Sequence, residues 1–264
     1  YRCWCCCLRR KTDDERKMTQ QKKVLVAVVG ASGGVGSATV KAALAARHQV
    51  RVLARSRTKL CAVLGDDVVA ELDAVVLGDA LNPDTLDELM NAKGVSPEVV
   101  LSCLGTHNTR AKPCVCDGTQ SLIKAIQTTA QRDPAKAKAR LVILSSIGVG
   151  DSHAQGVSMA WVFIRCTVPL FLRALFADLG RAEEACWREM QTANGVRCVA
   201  VRPPAFNDKL TPGRAAVKLV PSSELKPAKK AALAREDVAV AMARLIDPAV
   251  FAAWAGKGVT VVVP

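Results

Sequence analysis

The run Gly30-Ala31-Ser32-Gly33-Gly34-Val35-Gly36 carries the most specific chemistry in this 264-residue chain. It follows the apolar stretch Val24 to Val29 and opens a helical pattern that runs to about Arg47. Glycines let the backbone turn tightly and bring amides at the positive end of a helix up to phosphate oxygens. Strand, glycine loop and helix in that order predict a dinucleotide pyrophosphate cradle built from Gly30, Gly33, Gly34, Val35 and Gly36. The double glycine leaves the spacing open between G-x-x-G-x-x-G and G-x-x-x-G-x-G. About 20 residues beyond such a loop, an NAD site places a carboxylate on the ribose hydroxyls. This chain has Arg55 there, 19 residues after Gly36, with Arg57 and Lys59 close by. A guanidinium at that point makes charge-assisted bonds to a 2′-phosphate, with Ser32 as a further donor, so the expected cofactor is NADP(H). A solvent-facing arginine at a strand end is the plain alternative.

Further candidates follow the later strands. Asp79 ends the third strand, where it can accept from an adenine amino group or simply form a turn. Cys103, Leu104 and Gly105, with Thr106, end the fourth and are expected to line the cofactor through their backbone. Ser145 and Ser146 end the fifth, at the carboxyl edge where open α/β sheets bind ligands. Either serine can hydrogen-bond a substrate carbonyl or satisfy loop amides. His153 follows in the next loop, as a pocket residue or a solvated one. Cys114 and Cys116 lack a second pair at zinc spacing, so no metal site is expected.

Positioning these residues requires strands that alternate with helices. Short apolar runs at Val24 to Val29, Val50 to Ala54, Ala74 to Leu77, Val99 to Leu104, Leu141 to Leu144, Cys198 to Val201 and Val259 to Val263 are separated by helical patterns. These patterns include Thr85 to Asn91, Thr119 to Gln131, Pro169 to Ala193 and Glu236 to Ile246. Continuous apolar strands with intervening helices predict an α/β fold: a doubly wound, mostly parallel Rossmann-type sheet of about seven strands in a single domain. Residues 23–264 form that domain, and residues 1–22 are expected to be a disordered or extraneous tail, with Met18 as a natural start. The tail holds Cys3, Cys5, Cys6 and Cys7, whose crowding would suit S-palmitoylation, but a disordered tail is the expected reading.

Composition bounds the function. Lys and Arg number 37 against 24 Asp and Glu, a net charge of +13, and half the residues are hydrophobic. A chain of mean hydropathy +0.17 is globular, and its excess charge suits anionic ligands. No nucleic-acid motif appears, and the basic stretch Lys209 to Lys230 reads as a solvated loop before an RNA or membrane contact. The apolar stretch Val157 to Phe176 is broken by Arg165, Pro169 and Arg173, so it is expected to be a buried helix or a subunit interface, as in a homodimer. Eleven cysteines scattered over a chain this size imply reduced thiols and a cytoplasmic location.

From about Lys23 to Pro264 the chain resembles the atypical short-chain dehydrogenase/reductases with an NAD(P)H-binding domain, near the NmrA-like proteins and biliverdin-IXβ/flavin reductases. The resemblance rests on the glycine loop, the strand ending in Arg55, Val76-Leu77-Gly78-Asp79, Leu141 to Ser152, Val201-Arg202-Pro203-Pro204 and Arg235-Glu236-Asp237-Val238-Ala239. It implies that Arg202, Pro203, Pro204 and Ala205 lie beside the nicotinamide. Two departures qualify it. Catalytic short-chain dehydrogenases use a Tyr with a Lys four residues later. Here Tyr1 is the only tyrosine and no lysine lies between Lys138 and Lys209. The histidine expected after the double proline is Ala205. The expected function is an NADPH-dependent reductase of a small electron-poor acceptor, such as a flavin or quinone. The alternative is a redox sensor or assembly factor that holds NADP(H) without turnover.

Overall fold

The computed structural model describes residues 22–105, 113–133, 139–153, 170–192, 195–206, 217–222 and 232–262. The N-terminal tail, most of Val157 to Phe176 and most of Lys209 to Lys230 lie outside the described residues. The first five strands are β1 (Leu25–Val29), β2 (Gln49–Ala54), β3 (Ala74–Leu77), β4 (Val99–Ser102) and β5 (Arg140–Leu144). They are followed by β6 (Cys198–Val201), β7 (Ala205–Phe206), β8 (Lys218–Pro221), β9 (Ala232–Leu233) and β10 (Gly258–Val262). The main sheet has the order β3-β2-β1-β4-β5-β6-β10-β8, parallel except for the last pair, and β7 pairs with β9 apart from it.

The expectation of about seven strands is one short for this sheet. β8 lies inside the stretch read as a basic loop and pairs antiparallel with β10, Val259 opposite Pro221 and Val262 opposite Lys218. Four residues ending in proline carry too little pattern to be read as a strand. Pairing along the open side of β10 supplies the backbone hydrogen bonds that local sequence does not advertise.

The main sheet is sandwiched because successive strand residues point to opposite faces. Val26 and Val28 of β1 enter one apolar layer with α1 (Gly34–Ala45), α2 (Arg57–Leu64), α3 (Asp66–Ala70), and later α7 (Arg235–Arg244) and α8 (Pro248–Trp254). Ala27 and Val29 enter the other with α4 (Pro83–Asn91), α5 (Val115–Arg132) and α6 (Leu170–Met190). Two helices, α2 and α8, fall where the sequence shows no clear apolar period. They are held by caps: Ser56 Oγ accepts from the Lys59 amide, and Asp247 Oδ1 from the amides of Ala249 and Val250.

Polar groups within this frame are paired with few exceptions. Arg51 on β2 is fully buried, and its guanidinium donates to Asp73 and to the carbonyls of Leu89, Ala92 and Val95. It thereby ties β2 to the end of α4. His48, between α1 and β2, is an exception: it is 5% exposed and neither ring nitrogen has a partner. Burial lowers its pKa from the ordinary 6.5, opposed by the nearby charges of Asp247 and Glu98. The unfolded chain therefore takes up this proton before the folded one. Stability is complete above about pH 6.5 and declines as pH falls from there through the lower folded-state value. We expect the melting temperature of His48→Leu to fall less steeply between about pH 6.5 and pH 5 than that of the unmutated protein. Parallel slopes in the two proteins would exclude the assignment.

Candidate cofactor site

β1 and β4 lie side by side at the centre of the sheet, where the strand order reverses, the topological switch point of an open α/β fold. The Cys103 amide donates to the Val29 carbonyl at 2.9 Å, so the loop after β4 runs against the loop after β1. Gly30 has φ +79°, and a Cβ there would stand 2.7 Å from the Cys103 carbonyl oxygen. A Cβ on Gly36 would stand 2.1 Å from the Gly30 oxygen. Both positions require glycine, because their neighbours are backbone and cannot swing aside. The turn closes with the Gly33 amide donating to Gly30 at 2.9 Å, and the Ser37 amide to Gly33 at 2.8 Å.

The start of α1 differs from the other helix starts. Its N-cap Gly33 offers no side chain and its first turn holds no acid. Among helix starts whose preceding residue is described, each of the others has a capping oxygen or an acid at hand. Ser56, Asn82 and Asp247 cap α2, α4 and α8, and α3 and α7 carry acids in their first turns. At α5 the buried Asp178 of α6 accepts from the amides of Val115 and Cys116, at 2.8 and 3.3 Å. A helix start that lacks both caps and acids fits an external anion.

The remaining sequence candidates take distinct positions. The pairing of Val29 with Leu53 carries Arg55 to the same edge as Ala31 and half-buried Ser32. Arg55, Arg57 and Lys59 are all exposed, the last two in the first turn of α2, where a helix dipole disfavours cations. Asp79 is exposed and its Oδ1 accepts from the Leu81 amide at 2.9 Å, so one carboxylate oxygen shapes the turn. The Cys103 thiol faces inward to Thr39 and Met242, and burial pushes its pKa up to about 12, leaving its backbone to the loop. Leu104 is half-buried beside Gly118 of α5, and Gly105 is exposed, with no atom of the described residues close to where a Cβ would lie.

Ser145, Ser146 and the Arg202-Pro203-Pro204 turn come together. The Ser145 amide donates to Val201 at 2.7 Å and the Ile147 amide to Pro203 at 3.0 Å. Arg202 itself is 1% exposed. Its Nε donates to Glu183 Oε1 at 2.9 Å and Nη2 to Oε2 at 2.5 Å, and Nη1 bonds Asp151. Burial alone would lower the Arg202 pKa, but the bonds to Glu183 and Asp151 raise it. The guanidinium of Arg202, in the turn that the resemblance implies beside the nicotinamide, faces Glu183 and Asp151. Ser145 Oγ donates to Glu183 Oε1 at 2.6 Å. A carboxylate paired with arginine only accepts, so the one Ser145 proton is committed and its oxygen is left to accept. Ser146 Oγ is half-buried and donates to its neighbour Ile147 at 3.2 Å. His153 ends the single turn Gly150–His153, but its side chain lies outside the described residues. Ala205 is exposed, and the next residue, Phe206, lies 5.2 Å below the Arg235 guanidinium.

A family model described as NAD(P)H-binding matches residues 30–248. The chain belongs to the NAD(P)H-binding family. No curated protein matches its sequence. ChuY, an anaerobilin reductase from Escherichia coli, is 17% identical with TM-score 0.64, covering 91% of this chain and 97% of its own. A candidate NADH-flavin reductase from Streptococcus pneumoniae is 15% identical with TM-score 0.63, covering 91% and 100%. AtPrR2, solved with NADP+ and (+)-pinoresinol, is 18% identical with TM-score 0.58, covering 91% and 70%. At such identities the likenesses establish the fold. The family's nicotinamide dinucleotide fits the glycine cradle and uncapped α1, which the geometry had already set apart.

Glu183 and Asp178 escaped the sequence reading, while Asp151 and Arg235 entered it only within stretches that carry the resemblance, with no role assigned. Two left a signal. Asp178 and Glu183 fall on the same stripe of α6 as Leu179, Ala182 and Cys186, and an acid on an apolar stripe must find a partner.

Proposed function

We propose that this protein is an NADPH-dependent reductase of small, electron-poor acceptors such as flavins or quinones. The observation that carries the cofactor choice is the end of β2, where Arg55, Arg57 and Lys59 are exposed and no acid stands. Gly30, Gly33, Gly34, Val35 and Gly36 would hold the pyrophosphate, Arg55 and Ser32 the 2′-phosphate, and Pro203, Pro204 and Ala205 would border the nicotinamide. A bound reduced nicotinamide supplies hydride. The chain's part is to orient the acceptor and exclude water. Ser145, whose hydroxyl donates to Glu183, would accept a hydrogen bond from a ligand N–H and would not protonate a carbonyl. With no tyrosine beyond Tyr1, simple ketones and secondary alcohols are expected to react poorly.

The committed Ser145 proton also favours a second reading, a sensor that binds NADP(H) without turning it over. Titration with NADPH and NADH, followed by an acceptor panel, separates the two. NADPH should bind more tightly, and Arg55→Glu should weaken it by roughly ten- to hundredfold, the loss of a charge-assisted bond. Equal affinities for NADPH and NADH in the unmutated protein would refute the cofactor assignment. Tight binding with no oxidation by any acceptor supports the sensor.

A further inference from the structure

We propose that Arg235, the first residue of α7, clamps the pyrophosphate of the bound dinucleotide against the amide cradle of α1. The proposal rests on the reading of residues 30–36 as a dinucleotide cradle and adds a residue from the far end of the chain. A Cβ built on exposed Gly34 would stand 2.7 Å from Arg235 Cδ and 2.9 Å from Nε. The arginine therefore lies directly over the first residue of α1, in space that glycine leaves open.

Its head group is also held in place. The guanidinium stands 5.2 Å from the centre of the Phe206 ring, a cation–π distance. Phe206 is fixed to the approach of α7 by the β7–β9 pairing, Phe206 opposite Leu233. A guanidinium oriented in this way loses less freedom when it binds than a solvated side chain does.

Charge makes the same point. Residues 30–36 contain no cation, so neutral amides alone would meet the two negative charges of a pyrophosphate. Arg235 is the first residue of α7, whose first turn also holds Glu236 and Asp237, and it is the cation that the packing of α7 brings to Gly34. The planar fork of arginine can bridge two phosphate oxygens, as the point charge of lysine cannot.

The test is a set of binding titrations on the full chain with NADPH, NADH, ADP-ribose and adenosine 2′-monophosphate. Arg235→Ala should weaken the first three by a common factor, roughly ten- to hundredfold, and leave adenosine 2′-monophosphate within about twofold. Arg55→Ala should do the reverse, weakening NADPH and adenosine 2′-monophosphate while sparing NADH and ADP-ribose. Arg235→Lys should recover part of the loss. Arg235→Gln keeps the stem over Gly34 without the charge and serves if the alanine variant does not fold. A merely structural arginine would lower the melting temperature of the unliganded protein and weaken all four ligands alike. That result, or ADP-ribose binding unchanged in Arg235→Ala, overturns the clamp. An unmutated protein that binds neither NADPH nor ADP-ribose overturns the cradle reading and the clamp together.

Discussion

Replacing Glu183 with alanine is expected to cost about 3–5 kcal/mol of folding stability, measured by urea unfolding. Glu183 is 1% exposed and receives three hydrogen bonds, two from the Arg202 guanidinium and one from Ser145. Truncation leaves the Arg202 charge buried with only Asp151, which stands at the rim with a side chain 63% exposed. The space cannot be made good by moving Arg202. Its guanidinium is packed on Gly150 and Gly258, where a Cβ would approach it to 2.6 and 2.0 Å. Arg202→Ala should cost a similar amount by stranding Glu183. The double variant Glu183→Leu with Arg202→Met should lose less than either single change, because a hydrocarbon pair carries no desolvation debt. It still leaves Ser145 without its acceptor, a loss of about 1 kcal/mol. Single variants within about 1 kcal/mol of the unmutated protein would show that this pair does not hold β6 to α6.

Gly36→Ala is expected to remove cofactor binding while the rest of the fold survives. The added methyl would meet the Gly30 carbonyl oxygen at 2.1 Å, a backbone atom, so the turn must open. Overpacking of this kind costs about 1–3 kcal/mol. Binding should suffer more. The Gly33-to-Gly30 bond that shapes the cradle would stretch, and the loss of two charge-assisted bonds to phosphate would weaken NADPH by at least roughly a hundredfold. Gly105→Ala is the control on the facing loop. Among the described residues no atom lies within 4 Å of its Cβ position, so stability should stay within about 0.5 kcal/mol. Tight NADPH binding by Gly36→Ala would mean that the amides of this turn do not hold the phosphates.

The succession of the seven parallel strands, the glycine turn after β1 and the cation at the end of β2 were legible in the chain because each is written locally. A parallel strand buried on both faces must be apolar throughout, and a turn that accepts no Cβ must be glycine. Residues 25–29 and 30–36 meet those conditions within a dozen positions. The boundaries of α4, α5 and α6 were likewise near their apolar periods, because the faces they bury are continuous.

What could not be read locally was decided by contacts between distant segments. β8 is a strand only because β10 offers it an unpaired edge. Ser145 looks free to donate to a ligand until Glu183, 38 residues on, accepts its hydrogen bond. The Arg202 guanidinium is held inward by the same carboxylate, and Arg235 reaches the glycine loop only because α7 packs on α1, about 200 residues earlier in the chain. Local pattern records which atoms a residue offers. Which of them stay available to a ligand depends on the partner that burial brings to it, and that is a property of the folded chain.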